Sequence, residues 1–172
     1  MRKSKINPNI RKAVMKRITT ITANTVGGRD GHGTTTDGNA DIKFALPKEL
    51  GGAGKKGATP EHLFGLGSAA CVGTNLQLHA GKKNIKLDPN FSVTADVSLC
   101  ARDDGGFALE VELKVNLPGI NKAEAEAFVV QADHTCPYSR AIRGNVPGQD
   151  HSGVTNLKPS VLVAPLQMKG TV

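Results

Sequence analysis

Apolar residues recur along this chain with two different periods, and the switches between them mark its elements. Phe91, Val93, Ala95, Val97 and Leu99 alternate with polar residues, and so do Phe107, Leu109, Val111, Leu113 and Val115. A period of two is that of a strand with one buried face. Asp103-Asp104-Gly105-Gly106 between the two runs has turn chemistry, so the segment predicts a β-hairpin. Glu110, Glu112 and Lys114 lie on the outer face, as expected of an antiparallel sheet covered on one side.

Two helices flank the hairpin. Thr59 offers an N-cap with Pro60 at the first helical position, and the apolar run continues to about Ala80, where Gly81 suits the position after the cap. Asn121 with Glu124 three residues later resembles a capping box. The helix it opens carries the stripe Ala125, Phe128, Val129, Ala132 and Cys136 and is stopped by Pro137. Weaker signals predict strands over 18–26, closed by Gly27-Gly28-Arg29-Asp30-Gly31, over 40–46, and from Ser160 to Ala164. Pro47 to Gly57 reads as a glycine-rich loop. Strands, helix, hairpin, helix and strand in that order argue an α+β fold.

The 172 residues, 38% hydrophobic and 22% charged, suit one soluble domain, and no apolar run reaches the ~20 residues of a membrane span. The net charge of +7 points to nucleic acid only until it is located. Residues 1–17 hold seven Lys or Arg and no Asp or Glu, whereas the rest of the chain holds 15 basic and 15 acidic residues. The body has no electrostatic reason to bind phosphate backbones, and one Tyr with no Trp offers little base stacking. We therefore divide the chain into a basic extension, 1–17, and a single domain, 18–172. In the extension Ile6, Ile10, Val14 and Ile18 recur every four residues, the pattern of a solvated amphipathic helix. An organelle transit peptide is the alternative, which sets a mitochondrial location against the cytoplasmic one that three unevenly placed cysteines favour.

The remaining chemistry lies in those cysteines. Cys71 and Cys136 are 65 positions apart, each on an apolar helix face able to meet the other. Taken alone, each reads as a small core hydrophobe. Cys136 stands at a helix C-terminus, where the dipole opposes an anion, so Cys71 is the better attacking thiolate. Cys100 shares a strand face with Ser92, Thr94, Asp96 and Ser98 and reads as a bystander. The five histidines form no ligand pattern, and no metal or cofactor is assigned.

Several motifs in register carry a resemblance. Gly27-Gly28-Arg29-Asp30-Gly31, Leu46-Pro47-Lys48-Glu49-Leu50-Gly51-Gly52, Pro60-Glu61 with Leu63-Phe64, Ala69-Ala70-Cys71, Leu117-Pro118-Gly119, Cys136-Pro137-Tyr138-Ser139 and Arg143-Gly144-Asn145 together resemble the organic hydroperoxide resistance (Ohr) branch of the OsmC/Ohr superfamily, from about residue 18 to 145. The chain departs from that pattern at Thr59, His62, Ser68 and Arg140, where the family usually has Asn, Gln, an aromatic residue and Asn. Residues 146–158 look like an insertion.

The resemblance implies an antiparallel sheet wrapped against two long helices in an intertwined homodimer. It implies a thiol peroxidase, with Cys71 attacking an alkyl or lipid hydroperoxide and Cys136 resolving the sulfenic acid as a disulfide. The implied reductant is a dithiol such as a lipoylated protein. Arg29 would stabilise the thiolate and Glu61 would hold Arg29, although unaided these read as a solvated loop arginine and a helix-dipole charge. Ten residues of straight helix separate Glu61 from Cys71 by about 15 Å. Either Arg29 bridges that gap, the helix breaks near Gly65 and Gly67, or Glu61 serves a partner subunit. The rivals are a redox sensor or ligand-binding protein on the same scaffold, and a nucleic-acid binder using the basic extension.

Overall fold

The computed structural model describes residues 16–144 and the backbone of residues 160–162. The expected amphipathic helix of the N-terminal extension and the insertion at 146–158 lie outside these residues, apart from the end of the extension. The chain divides into two compact units at the Gly57–Ala58 boundary.

The first unit is an antiparallel meander of β1 (Ala23–Val26), β2 (His32–Thr35) and β3 (Asp41–Lys43). The outer strands are shorter than the predicted 18–26 and 40–46. β2 has no counterpart in the sequence reading, because His32-Gly33-Thr34-Thr35 has no apolar residue to alternate. Gly33 is required by proximity: a Cβ there would come within 2.8 Å of the Phe44 ring and 3.0 Å of Thr25 Cγ2. A single 3-10 turn, Lys48–Leu50, interrupts the predicted loop.

The second unit holds α1 (Pro60–Lys82), β4 (Ser92–Ala101), β5 (Phe107–Asn116), α2 (Lys122–Thr135), α3 (Pro137–Ile142) and β6 (Ser160–Leu162). The hairpin register sets Val93 opposite Val115, Ala95 opposite Leu113 and Val97 opposite Val111, as the alternation requires. β6 pairs with β5 in parallel, so the three-stranded sheet is mixed. Val111, Leu113 and Val115 on the inner face of β5 meet Val72 and Leu76 of α1 and Ala125, Phe128 and Ala132 of α2 in one core.

Helix ends show where local chemistry was read and where it was missed. At α2 the Asn121 side chain accepts from the Glu124 N–H at 3.0 Å, as expected. At α1 His62 takes the part that Glu or Gln plays in a capping box: its Nδ1 accepts from the Thr59 N–H at 3.1 Å and lies 2.9 Å from the Thr59 hydroxyl. The expected end of α1 at Gly81 is corrected. Gly81 lies inside the helix, and Asn84 supplies the left-handed residue (φ 56°) instead. Ile85 N–H donates to Ala80 O and Asn84 N–H to Gly81 O, the two bonds of a Schellman motif, while Ile85 packs on the core. Pro137 does stop α2, but it also starts α3, a helix absent from the sequence reading.

Candidate functional site

A stripe along α1 faces the α2–α3 corner, and the site is built on it. Phe64, Gly67, Cys71 and Asn75 recur three or four positions apart, which places them on one face. Opposite them, Cys136 is both the C-cap of α2 and the N-cap of α3. Its stripe mates Ala125, Phe128, Val129 and Ala132 are all buried, as predicted. Cys71 and Cys136 are joined in a disulfide, with Cα atoms 6.0 Å apart. That separation lies within the range an ordinary bridge spans, so the faces of α1 and α2 already stand at bonding distance. Cys136 is fully buried and Cys71 is half-buried, which leaves Cys71 the more accessible residue of the pair.

Tyr138, the second residue of α3, lies over Gly67. A Cβ at Gly67 would be 2.8 Å from the Tyr138 hydroxyl, and the Phe64 and Tyr138 rings stand 6.1 Å apart. The two aromatic residues flank the turn of α1 that precedes Cys71. The corner itself is tied by Arg143, whose Nη2 donates to Asp133 Oδ2 at 2.6 Å and to the Asp133 carbonyl at 3.2 Å. Asp133 is buried and Arg143 half-buried, so this ion pair closes α3 back onto α2 with Cys136 between them.

On the other side of the disulfide α1 and α2 share polar groups. Asn75 Nδ2 donates to the Cys71 carbonyl at 2.9 Å and stands 3.9 Å from Cys71 Sγ. Thr135 Oγ1 lies 2.8 Å from Asn75 Oδ1, and His79 Nε2 lies 2.9 Å from Thr135 Oγ1. Leu78 is 52% exposed, and His79 beside it makes the contact with α2.

The other anticipated residues are placed as follows. α1 runs unbroken through Gly65 and Gly67, which removes a broken helix as the way to bring Glu61 to Cys71. Glu61 sits in the first turn of α1, about 15 Å along the axis from Cys71. Arg29 belongs to the first unit, half-buried in the 3-10 turn Gly28–Asp30 between β1 and β2. Gly27 (φ 79°) and Gly28 (φ 57°) supply the left-handed backbone of that turn. Gly31 leaves no room for a side chain, since a Cβ would stand 1.8 Å from Val26 O. Cys100 is a free thiol on the outer face of β4, 3.9 Å from Glu110 Oε2, in keeping with a bystander. The sequence reading did not find Asn75, Thr135, Asp133 or the capping role of His62. Each is polar at a position where periodicity only sorts apolar from polar.

A family model described as OsmC-like protein matches residues 52–149. The organic hydroperoxide resistance protein of Xanthomonas axonopodis pv. citri is 40% identical over 131 residues, covering 76% of this chain and 92% of that protein. OhrB of Bacillus subtilis is 40% identical over 121 residues, covering 70% and 87%. Among solved structures, that of an organic hydroperoxide resistance protein from Legionella pneumophila superposes with a TM-score of 0.72 at 45% identity, covering 76% of this chain and 94% of that one. The crystal structure of Bacillus subtilis OhrB gives a TM-score of 0.70 at 39% identity, covering 76% and 95%. With the α+β architecture and the motif register pointing the same way, the chain belongs to the OsmC-like family, in its organic hydroperoxide resistance branch.

Proposed function

We propose that this protein is a cysteine-based organic hydroperoxide reductase. The Cys71 thiolate attacks the distal oxygen of an alkyl or lipid hydroperoxide. The S–O bond forms as the O–O bond breaks, and the alkoxide takes a proton and leaves as the alcohol. Cys71 is thereby oxidised to a sulfenic acid. The Cys136 thiolate then attacks Cys71 Sγ, forming the disulfide and releasing the oxygen as water. A dithiol, such as a lipoylated protein, returns two electrons by thiol–disulfide exchange. Arg29 supplies the cation that favours the thiolate and Glu61 orients it, within a homodimer. Organic hydroperoxide resistance in the relatives supports the substrate class. The observation that carries the reading is the Cys71–Cys136 bridge, which joins a half-buried cysteine to a buried one across the α1–α2 interface.

Peroxide consumption in cysteine variants tests it. Cys71→Ser abolishes activity, Cys136→Ser permits one oxidation and accumulates sulfenic acid, and Cys100→Ser is nearly silent. With dihydrolipoamide the native protein consumes many equivalents of hydroperoxide, whereas a redox sensor consumes about one. Equal loss of the first oxidation in the Cys71 and Cys136 variants would overturn the assignment of roles.

A further inference from the structure

We infer that Asn75, held by Thr135 and His79, is a hydrogen-bond donor to the Cys71 sulfur that stabilises its thiolate; the inference rests on Cys71 being the attacking thiol. The donor pattern follows from what each group can do. The Cys71 carbonyl only accepts, so the atom 2.9 Å from it must be the amide nitrogen of Asn75. One of the two amide hydrogens serves that carbonyl. The same nitrogen stands 3.9 Å from Cys71 Sγ, and the second hydrogen serves the sulfur.

The amide orientation leaves Asn75 Oδ1 facing Thr135 Oγ1 at 2.8 Å, while the Gln131 carbonyl of the same helix lies 2.9 Å from that hydroxyl; the one hydroxyl hydrogen goes to Oδ1, the nearer acceptor. With that hydrogen so placed, Thr135 accepts from His79 at 2.9 Å, which assigns the imidazole proton to Nε2. The chain thus runs from His79 through Thr135 and Asn75 to the sulfur, each member donating toward the next. Asn75 and His79 lie on α1 and Thr135 closes α2, so helix packing sets the direction of the amide.

An N–H donor favours a thiolate over a thiol, and a thiolate over the weakly accepting disulfide. Asn75 therefore lowers the Cys71 pKa and raises the reduction potential of the Cys71–Cys136 pair. Thr135 and His79 are positioning residues, acting on the sulfur only through Asn75. The titratable groups of the packed helices, among them Glu61 and His62 of α1, Asp133 and His134 of α2 and Tyr138 and Arg140 of α3, are the same in every variant below, so a shift reports on the amide.

The test measures the pH dependence of Cys71 alkylation in a reduced Cys100→Ser, Cys136→Ser background. It also measures the dithiothreitol equilibrium of the Cys71–Cys136 pair in the Cys100→Ser protein, at a pH where thiolate prevails. In Asn75→Ala the alkylation midpoint rises by about half a unit to one unit, and the redox equilibrium moves threefold to tenfold toward the disulfide, tenfold being ~30 mV. Asn75→Asp keeps the size, turns an acceptor toward the sulfur and raises the midpoint further. Thr135→Val shifts it in the same direction by less, and Thr135→Ser restores it. An unchanged midpoint and equilibrium in folded Asn75→Ala, or Thr135→Ser behaving like Thr135→Val, overturns the proposal. A shifted midpoint in a protein that consumes no hydroperoxide would sustain the hydrogen bond while removing the peroxidase reading.

Discussion

Reducing the Cys71–Cys136 disulfide perturbs stability by an amount that depends on pH, and that dependence separates a redox-active pair from a structural staple. The bridge closes a sequence separation of 65, for which loop-closure entropy alone makes the oxidised protein about 4 kcal/mol more stable than the reduced one. A native fold that stabilises the Cys71 thiolate offsets part of this gap. Depression of a reactive thiol by about two units is ordinary. Such a group contributes stability to the reduced state that is present above the unfolded thiol pKa and lost as pH falls through the folded one. For a depression of that size the gap is the full ~4 kcal/mol at acid pH and narrows to roughly 2 kcal/mol at about pH 8. The assay is guanidinium unfolding of oxidised and reduced Cys100→Ser protein across that range, followed by circular dichroism. In a domain of this size the narrowing corresponds to roughly 4–8 °C in the difference of Tm. A gap that stays near ~4 kcal/mol at every pH would mean that nothing in the fold favours the thiolate, and the peroxidatic role of Cys71 would fall with it.

Arg143→Ala opens the tie between α2 and α3. Its carboxylate partner is buried and its own side chain is 29% exposed, so it costs about 2 kcal/mol by chemical denaturation, and a double-mutant cycle with Asp133→Asn shows coupling above about 0.5 kcal/mol. Additive effects would refute the tie. Gly67→Ala sets two effects against each other, a helix-propensity gain of about 1 kcal/mol and displacement of the Tyr138 ring, for a net change near zero; in a Tyr138→Ala background the gain appears in full, and its failure to appear would show that the ring is not what Gly67 accommodates. At the hairpin tip, hydrogen bonds from Arg102 and then from the Gly106 N–H hold the Asp104 carboxyl below the usual carboxylate range. The tip is therefore stabilised at neutral pH and loses this as pH falls through the depressed value, and Arg102→Ala moves the Asp104 NMR titration upward.

Much of the second unit was legible because its signals are local and periodic. The alternation of Phe91–Leu99 and Phe107–Val115 specifies which faces of β4 and β5 are buried, and the observed register follows. Asn121 and Glu124 mark the start of α2, and the stripe from Ala125 to Cys136 marks its inner face. The cysteines could be placed on apolar helix faces from sequence alone, and several motifs in register carried the family. What the chain could not show locally is decided by contacts between distant segments. β2 exists because β1 and β3 supply its hydrogen bonds, not because Gly33 or its threonines favour a strand. Gly81 looked like a helix end, but Ile85 packing on the core let the helix run on to Lys82 and turn at Asn84. The 6.0 Å between the Cys71 and Cys136 Cα atoms, and the chain His79, Thr135, Asn75 and Cys71, exist only once α1 and α2 have packed. Periodicity records which side of an element avoids water. It carries no record of which polar group across an interface completes a hydrogen bond, because that depends on the docking of two helices far apart in sequence.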